Sequence, residues 1–441
     1  MTDFYPKSNK PAQILDMNAF DRDKSKISGA VQRRLNNVGA SSVLFYREPI
    51  EMVSAKGAWM TAADGSQYLD FYNNVPCIGH CHPAVIEAVS QQLSKLNTNT
   101  RYIVAIVDEY LEKLKATFPA SLSNVVLTCS GSEANDLAMR LACKSTGGTG
   151  FIVTECAYHG NTAFVTQVSP SSLKNETLPN HVIAIPAPSV QNYGADIEQG
   201  FTNRVQAAID ELSQRGIKVA ALLLDSIFSS DGVFSHPNGF LHSAVEVIHR
   251  AGGVYIADEV QPGFARTGEN FWGFSAHGVV PDIVTMGKPM GNGFPMAGMV
   301  TNPHLLDAYC HDVGYFNTFG GNPVAAAAGL AVLNTLESER LQDNARILGD
   351  NLKTRLINIA EQSSIIGEIR GSGLFFGIDI QAQGTHSAEL TIQVIDRLRE
   401  QKILAGAAGK QGSTLKLRPP LCLTQSEADF FIEGFRKVAL A

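Results

Sequence analysis

Apolar residues in this chain gather into short runs of strand length, separated by stretches with helical spacing. Val125–Thr128, Gly150–Thr154, Val219–Asp225, the run ending at Asp258 and the run Asp282–Met286 each read as strands. They lack the strict alternation of a half-exposed strand and so predict strands buried on both faces. Between them the spacing predicts helices from the Cys129–Asn135 segment to Leu141, over Phe201–Arg215 and over Ala244–Arg250. Strand and helix alternate, which predicts an α/β fold with a doubly wound, mostly parallel sheet. We place the 252–293 stretch at the far edge of that sheet, and residues 297–300 form one more short apolar run. The stretch from Glu155 to about residue 200 reads as largely irregular, broken by no strand.

Outside this region the pattern changes. Alternating apolar residues flank Asp64-Gly65 within Pro49–Asp70, which predicts a hairpin. Helical patterns cover Ala84–Leu96 and Ile106–Thr117, joined by the polar segment Asn97–Tyr102. Val324–Leu336 and Leu341–Gln362 are again helical. Short strands at Ile365–Arg370, Leu374–Ile380 and Thr414–Arg418 then follow, with a helix at Leu390–Gln401 among them. The expected organisation is an arm and part of a small domain over 1–70, a large domain over 71–320, and a small α+β domain over 321–441. Residues 1–30 read as a loosely held polar arm.

Composition narrows the function. With 44% hydrophobic and 17% charged residues, the chain has the balance of a soluble globular protein. A net charge of −7 argues against a nucleic-acid partner and gives no general attraction for anions, so any phosphate site must be local. No stretch reaches the length of a membrane span, and the start lacks a signal-peptide pattern. Seven scattered cysteines suit a reducing cytoplasm better than a disulfide framework. Cys77, His80, Cys81 and His82 stand close together, but no second ligand cluster follows at zinc spacing and His82-Pro83 reads as a helix entry. No metal is expected.

The candidate chemistry sits at strand ends. In open parallel sheets the carboxyl ends of the strands line the ligand crevice, so Asp258 and Lys288 are expected in one pocket, each delivered by its own strand. A lysine in a partly desolvated pocket sheds its proton more readily and can attack a carbonyl to form an imine. Cys129-Ser-Gly-Ser132 between a strand and a helix forms either an anion site, with Ser130 and Ser132 hydroxyls beside free amides, or a plain cap made by Ser132. Tyr158-His159-Gly160 ends another strand and brings an aromatic to the same edge.

Five motifs in order now stand together: Ser130–Asn135, Tyr158–Gly160, Ile256–Gln261 with Gly263–Gly268, Gly287-Lys288, and Asn317–Pro323. In this the chain resembles the class III aminotransferases of the fold type I pyridoxal-phosphate enzymes, from about residue 40 to the end. The resemblance implies a pyridoxal 5'-phosphate cofactor held by Lys288, which then moves the substrate proton. It implies that Asp258 pairs with the pyridine nitrogen, Gly131 and Ser132 cradle the phosphate, Tyr158 stacks on the ring and Gln261 bonds its phenolic oxygen. Ser130, His159, Asp225 and Val260 complete the implied cofactor shell. Thr318 is implied to reach the phosphate of the neighbouring subunit, which makes the protein a homodimer with shared sites.

On the substrate side the resemblance implies that Arg418 grips a carboxylate, with Tyr46, Asn74 and Tyr158 as further contacts. Asp225 falls where many members carry a glutamate that neutralises this arginine, and is one methylene shorter. The implied reaction moves an amino group from an amine or ω-amino acid to a 2-oxo acid such as pyruvate. Tyr72–Pro76, Gly79–Pro83, Leu96–Tyr102 and Met286–Gly293 are also similar to the phospholyases that eliminate phosphate and ammonia from phosphoethanolamine or phosphohydroxylysine. Ser169-Pro-Ser-Ser-Leu173 and Arg418 depart from that branch, which tends to carry a Tyr-Lys pair and a lysine there.

Overall fold

The computed structural model describes residues 17, 19–20, 27–174 and 176–441, so most of the expected N-terminal arm lies outside the described residues. The strands in chain order are β1 Met52–Lys56, β2 Trp59–Ala62, β3 Gln67–Asp70, β4 Asn124–Thr128, β5 Gly150–Thr154 and β6 Val182–Ile185. They continue with β7 Val219–Asp225, β8 Val254–Asp258, β9 Ile283–Met286, β10 Ala297–Thr301, β11 Ile366–Ser372 and β12 Phe375–Ala382. The last are β13 Thr385–His386, β14 Ile403–Leu404, β15 Gly406–Ala408 and β16 Thr414–Leu417.

Seven of these form one sheet in the order β4-β10-β9-β8-β7-β5-β6. From β9 to β6 every pairing is parallel, and β10 runs antiparallel to both of its neighbours. The sheet is mostly parallel, as expected. Two expectations need correction. Strands β8 and β9, which carry Asp258 and lead to Lys288, lie in the middle of the sheet rather than at its edge. The stretch expected to be irregular contains β6, a short apolar run closed by Pro186, which supplies the true edge.

Burial on both faces explains the continuous apolar runs. Along β7, Ala221 and Leu223 pack with Leu137, Ala138 and Leu141 of the helix Gly131–Thr146. Their neighbours Leu222 and Leu224 join Ile209, Leu212, Val245 and Ile248 of the helices Ile197–Gln214 and His242–Arg250. Each such leucine contributes about 1.5–3 kcal/mol when fully buried. The helix Ile197–Gln214 begins before the expected start because Asp196 caps it, its carboxylate accepting from Gln199 N at 3.0 Å. The helix Gly131–Thr146 runs past Leu141 and ends at Gly147, whose φ of +67° suits a residue without Cβ.

Two smaller sheets flank the large one. The hairpin β2–β3 pairs Trp59 with Leu69 around a turn holding Gly65 at φ +84°, and β1 extends it. Strand β14, far along the chain, joins this sheet in parallel beside β3. The remaining sheet has the order β11-β12-β16-β15, with β13 paired to β12. Helices Leu341–Ala360 and Gln425–Ala439 pack on each other beside it. Pro419 and Pro420 follow β16 directly.

Candidate active site

Three parallel strands end level with one another. The register pairs Asp225 of β7 with Asp258 of β8, and Asp258 with Thr285 of β9. Two residues beyond β9's Met286, the chain turns sharply and Lys288 takes φ +25°. A bulky residue with positive φ is uncommon and tends to mark sites where function fixes the backbone.

Asp258 is the hub of a buried network. Its Oδ2 accepts from His159 Nδ1 at 2.7 Å and from Asn135 Nδ2 at 3.0 Å, and its Oδ1 accepts from Val260 N at 3.0 Å. Asn135 Nδ2 also donates to the His159 carbonyl at 2.8 Å, while its Oδ1 accepts from Thr285 Oγ1 at 2.7 Å. The carboxylate is therefore held in place from the helix, from the loop after β5 and from its own strand. Fixed donors of this kind hold a charged group without reorganisation. Asn135 and Thr285 were not foreseen. Asn135 stands four residues after Gly131, so a helix there places both on one side, and that spacing was a readable signal.

The start of the helix Gly131–Thr146 is closed by Ser130, not Ser132. Ser130 Oγ accepts from Glu133 N at 3.3 Å, and the Glu133 carboxylate accepts from Cys129 N at 2.6 Å and Ser130 N at 3.2 Å. This reciprocal cap leaves the amides of Gly131 and Ser132 unpaired within the helix, facing out of its positive end. Ser132 Oγ instead accepts from Asn161 N at 3.1 Å, tying the helix start to the Tyr158–Gly160 loop. Gly160, at φ +144°, sits so close that a Cβ there would stand 2.5 Å from Ser132 Oγ.

Lys288 lines a cavity of about 250 Å³ together with Tyr72, Asn74, Tyr158, Gln261, Lys416 and Arg418. Burial pushes the Lys288 ammonium below the ordinary lysine value; Arg418 adds to this, while Asp258 and Asp225 oppose it. Arg418 Nη1 donates to Gln261 Oε1 at 2.6 Å and to Asn74 Oδ1 at 3.4 Å, and its guanidinium lies 5.0 Å from the Tyr72 ring centre. Burial raises the Tyr158 phenol. The Asp225 carboxylate is already engaged: Ile227 N, Ser229 N and Ser229 Oγ all donate to it.

Most of the expected residues thus meet at one edge of the sheet. Of these, Asn74, Tyr158, Gln261, Lys288 and Arg418 line the cavity, and two of the others stand apart from this cluster. Tyr46 is buried with its hydroxyl on the Ala405 carbonyl at 3.3 Å, and its neighbour Phe45 lines the cavity instead. Thr318 is exposed on a separate loop. Lys416 was missed, although the alternation of Thr414-Leu-Lys-Leu-Arg418 puts it on the same face as Arg418.

Residues 45–439 match the family model described as Aminotransferase class-III. The chain belongs to the class III aminotransferases. A relative from Arabidopsis thaliana, alanine–glyoxylate aminotransferase 2 homolog 2, mitochondrial, is 37% identical over 92% of this chain and 86% of its own length. A solved phospholyase from Arthrobacter in complex with phosphoethanolamine superposes with a TM-score of 0.90 at 41% identity, covering 93% of this chain and 99% of that one. An amine transaminase from an uncultivated Pseudomonas species, solved with pyridoxal phosphate bound, gives a TM-score of 0.81 at 26% identity over 89% of this chain and 95% of that one.

Class III aminotransferases depend on pyridoxal phosphate, and the residues here fit that group. His159 Nε2, Asn74 Nδ2 and Arg418 Nε are buried without a hydrogen-bond partner among the described residues. Orphaned buried donors and acceptors are rare and costly in a finished site. Together with a desolvated lysine, a fixed carboxylate and open helix-end amides, their chemistry suits an anionic aldehyde with a basic ring nitrogen.

Proposed function

We propose that this class III aminotransferase moves an amino group from an amine or ω-amino acid to a 2-oxo acid such as pyruvate. The observation that carries the reading is that Lys288 and Arg418 line one cavity, a proton-moving amine beside a carboxylate-binding fork. When bound, pyridoxal phosphate supplies the electron sink that stabilises negative charge on the substrate carbon.

The chain's own residues divide the remaining work. Lys288 Nζ takes the proton from the substrate carbon and returns it elsewhere, helped by burial that favours its neutral form. Asp258 holds the proton on the ring nitrogen, its position fixed by His159, Asn135 and Val260. The amides of Gly131 and Ser132 hold the cofactor phosphate at the helix start. Tyr158 would cover the ring, and Gln261, whose Oε1 is taken by Arg418, would meet the ring oxygen through its Nε2. Arg418, on Gln261 and Asn74, orients the carboxylate of the oxo acid. Incubating the holoenzyme with an amine panel and pyruvate, while following cofactor absorbance and alanine, tests the reading; it fails if no donor ever shifts the spectrum.

A second reading, elimination of phosphate and ammonia from a phospho-amine, is favoured by the presence of Lys416 beside Arg418 in that cavity. Release of inorganic phosphate from phosphoethanolamine distinguishes the two. We also read the protein as a homodimer in which the partner's Thr318 completes the phosphate site. Supporting this, Tyr102, Ile103, Phe316 and Phe319 are exposed, Ile103 by 95%, and Arg101 lies over Phe316, so the two loops form one apolar patch. Sedimentation of Ile103→Asp against the parent tests it: a patch that pairs two copies gives a monomer in the variant. We read the chain as divided into a large cofactor domain over 71–320 and a small domain built from 321–441 with part of 1–70; the pairing of β14 with β3 supports the latter. The unpaired state of all seven cysteines supports a reducing compartment, the cytoplasm, and among the described residues no helix is long and apolar enough to cross a membrane.

A further inference from the structure

The turn that leaves β3 touches Arg418 at three points. Phe71 O accepts from Arg418 N at 2.7 Å, Asn74 Oδ1 accepts from Arg418 Nη1 at 3.4 Å, and the Tyr72 ring centre lies 5.0 Å from the guanidinium. A carboxylate just before the turn gives it its shape. Asp70, the last residue of β3, is fully buried. Its Oδ1 accepts from Tyr72 N at 2.9 Å and Asn73 N at 2.8 Å, and its Oδ2 accepts from Asn73 Nδ2 at 3.1 Å. Oδ2 also meets His80 Nε2 at 2.7 Å. A carboxylate only accepts, so Nε2 carries the proton of this bond. His80 is fixed in turn by its backbone, which exchanges two hydrogen bonds, of 2.8 and 3.1 Å, with Gly57 between β1 and β2.

The far end of the same loop is tied to the lysine. Asn292, four residues after Lys288, accepts through Oδ1 from Ile78 N at 3.0 Å and donates through Nδ2 to Gly79 O at 2.9 Å. The 70–80 loop therefore spans from the turn that carries Lys288 to Arg418, and side chains hold it at both ends. Burial pushes the Arg418 guanidinium below its ordinary value, and Tyr72 and Asp70 oppose this ahead of Asp225.

We propose that Asp70, held by His80, is a positioning residue: it shapes the 71–74 turn so that Arg418 stands at a fixed place in the cavity relative to Lys288. The residues lining that cavity include Tyr72 and Asn74 but not Asp70 or His80. Asp70 thus acts on a ligand through Tyr72, Asn74 and Arg418. A bidentate fork grips a carboxylate only in a narrow range of orientations, so a relaxed turn weakens the grip while the cofactor contacts stay as they are. The inference rests on the reading of Arg418 as the carboxylate-binding group.

The test measures equilibrium binding. Propanoate, which has the carboxylate of pyruvate without its reactive carbonyl, is titrated into the holoenzyme by calorimetry, and uptake of pyridoxal phosphate is followed by absorbance. Asp70→Asn keeps the shape of the side chain but has one acceptor in place of two, and no charge. It is expected to weaken propanoate about tenfold and to change cofactor affinity by less than about twofold. His80→Ala should weaken propanoate in the same way, while His80→Gln, whose amide can still donate to Asp70, keeps the parent affinity. Because Asp70 acts through Arg418, adding Asp70→Asn to Arg418→Gln should cost no further propanoate affinity. Equal losses for propanoate and cofactor, or losses that add in the double variant, overturn the proposal. Propanoate binding that Arg418→Gln weakens and Asp70→Asn leaves at the parent level overturns it too, with the reading of Arg418 intact. A parent enzyme that does not bind propanoate retires that reading and the proposal together. Should Asp70→Asn fail to fold, His80→Ala and His80→Gln carry the same comparison.

Discussion

Replacing Asp258 by asparagine separates the two tasks of that side chain, holding its neighbours and holding charge. The amide keeps the shape but only one acceptor. Turned so that its oxygen meets His159 and Asn135, it presents N–H to the Val260 amide and loses one bond; turned the other way it loses two. A hydrogen bond to a charged group contributes about 1.5–3 kcal/mol, so Asp258→Asn is expected to cost roughly 2 kcal/mol of stability and to remain folded. Catalysis suffers more, because the ring nitrogen faces a neutral partner. Removing one preorganised electrostatic partner slows such reactions about 100- to 1,000-fold. Cofactor uptake should change little, since Lys288 and the helix-end amides are untouched. Absorbance titration gives the cofactor affinity, stopped-flow single turnover at saturating amine gives the rate, and a melt gives the stability. A variant with full cofactor occupancy and a single-turnover rate within about fivefold of the parent would refute the role assigned to this carboxylate.

Other outcomes follow from the same geometry. Lys288→Ala should fold, take up cofactor without the covalent link and show no turnover; residual steady-state activity at the parent level would reject the assignment. Gly160→Ala forces a Cβ to within 2.5 Å of Ser132 Oγ at φ +144°, so it should cost roughly 1–3 kcal/mol and weaken cofactor affinity, both readable from melts with and without cofactor. Burial raises the Asp231 carboxyl from 3.8 to about 7. The folded state therefore binds this proton more tightly than the unfolded one, and the contribution of Asp231 to stability falls as pH rises from about 4 to about 7. Asp231→Asn can still accept from Cys156 N and donate to Thr154 Oγ1, so its melting temperature should exceed the parent's near pH 8, with the gain shrinking toward pH 4.

Much of the architecture was legible in the chain itself, because burial on two faces leaves a one-dimensional trace. The runs of β5, β7, β8 and β9 were readable as strands, and Asp258 and Lys288 could be assigned to one edge of the sheet, where the carboxylate acts on the ammonium, since parallel strands deliver their last residues to one edge. Local chemistry was less clear. Whether Ser130 or Ser132 caps the helix depends on a reach of Glu133 back to Cys129 that spacing permits but does not require. Strand order was beyond reach: β8 is central because β7 and β9 pair on either side of it, and pairing is a contact between distant segments.

The cation cluster shows the same division. Composition and alternation made Lys416 and Arg418 neighbours on one strand face. Only the tertiary arrangement brought them into one cavity with Lys288. Periodicity is set by each segment's own geometry and so is written locally. Electrostatic balance depends on which charges from separate segments share one low-dielectric space, and the folded structure alone determines that.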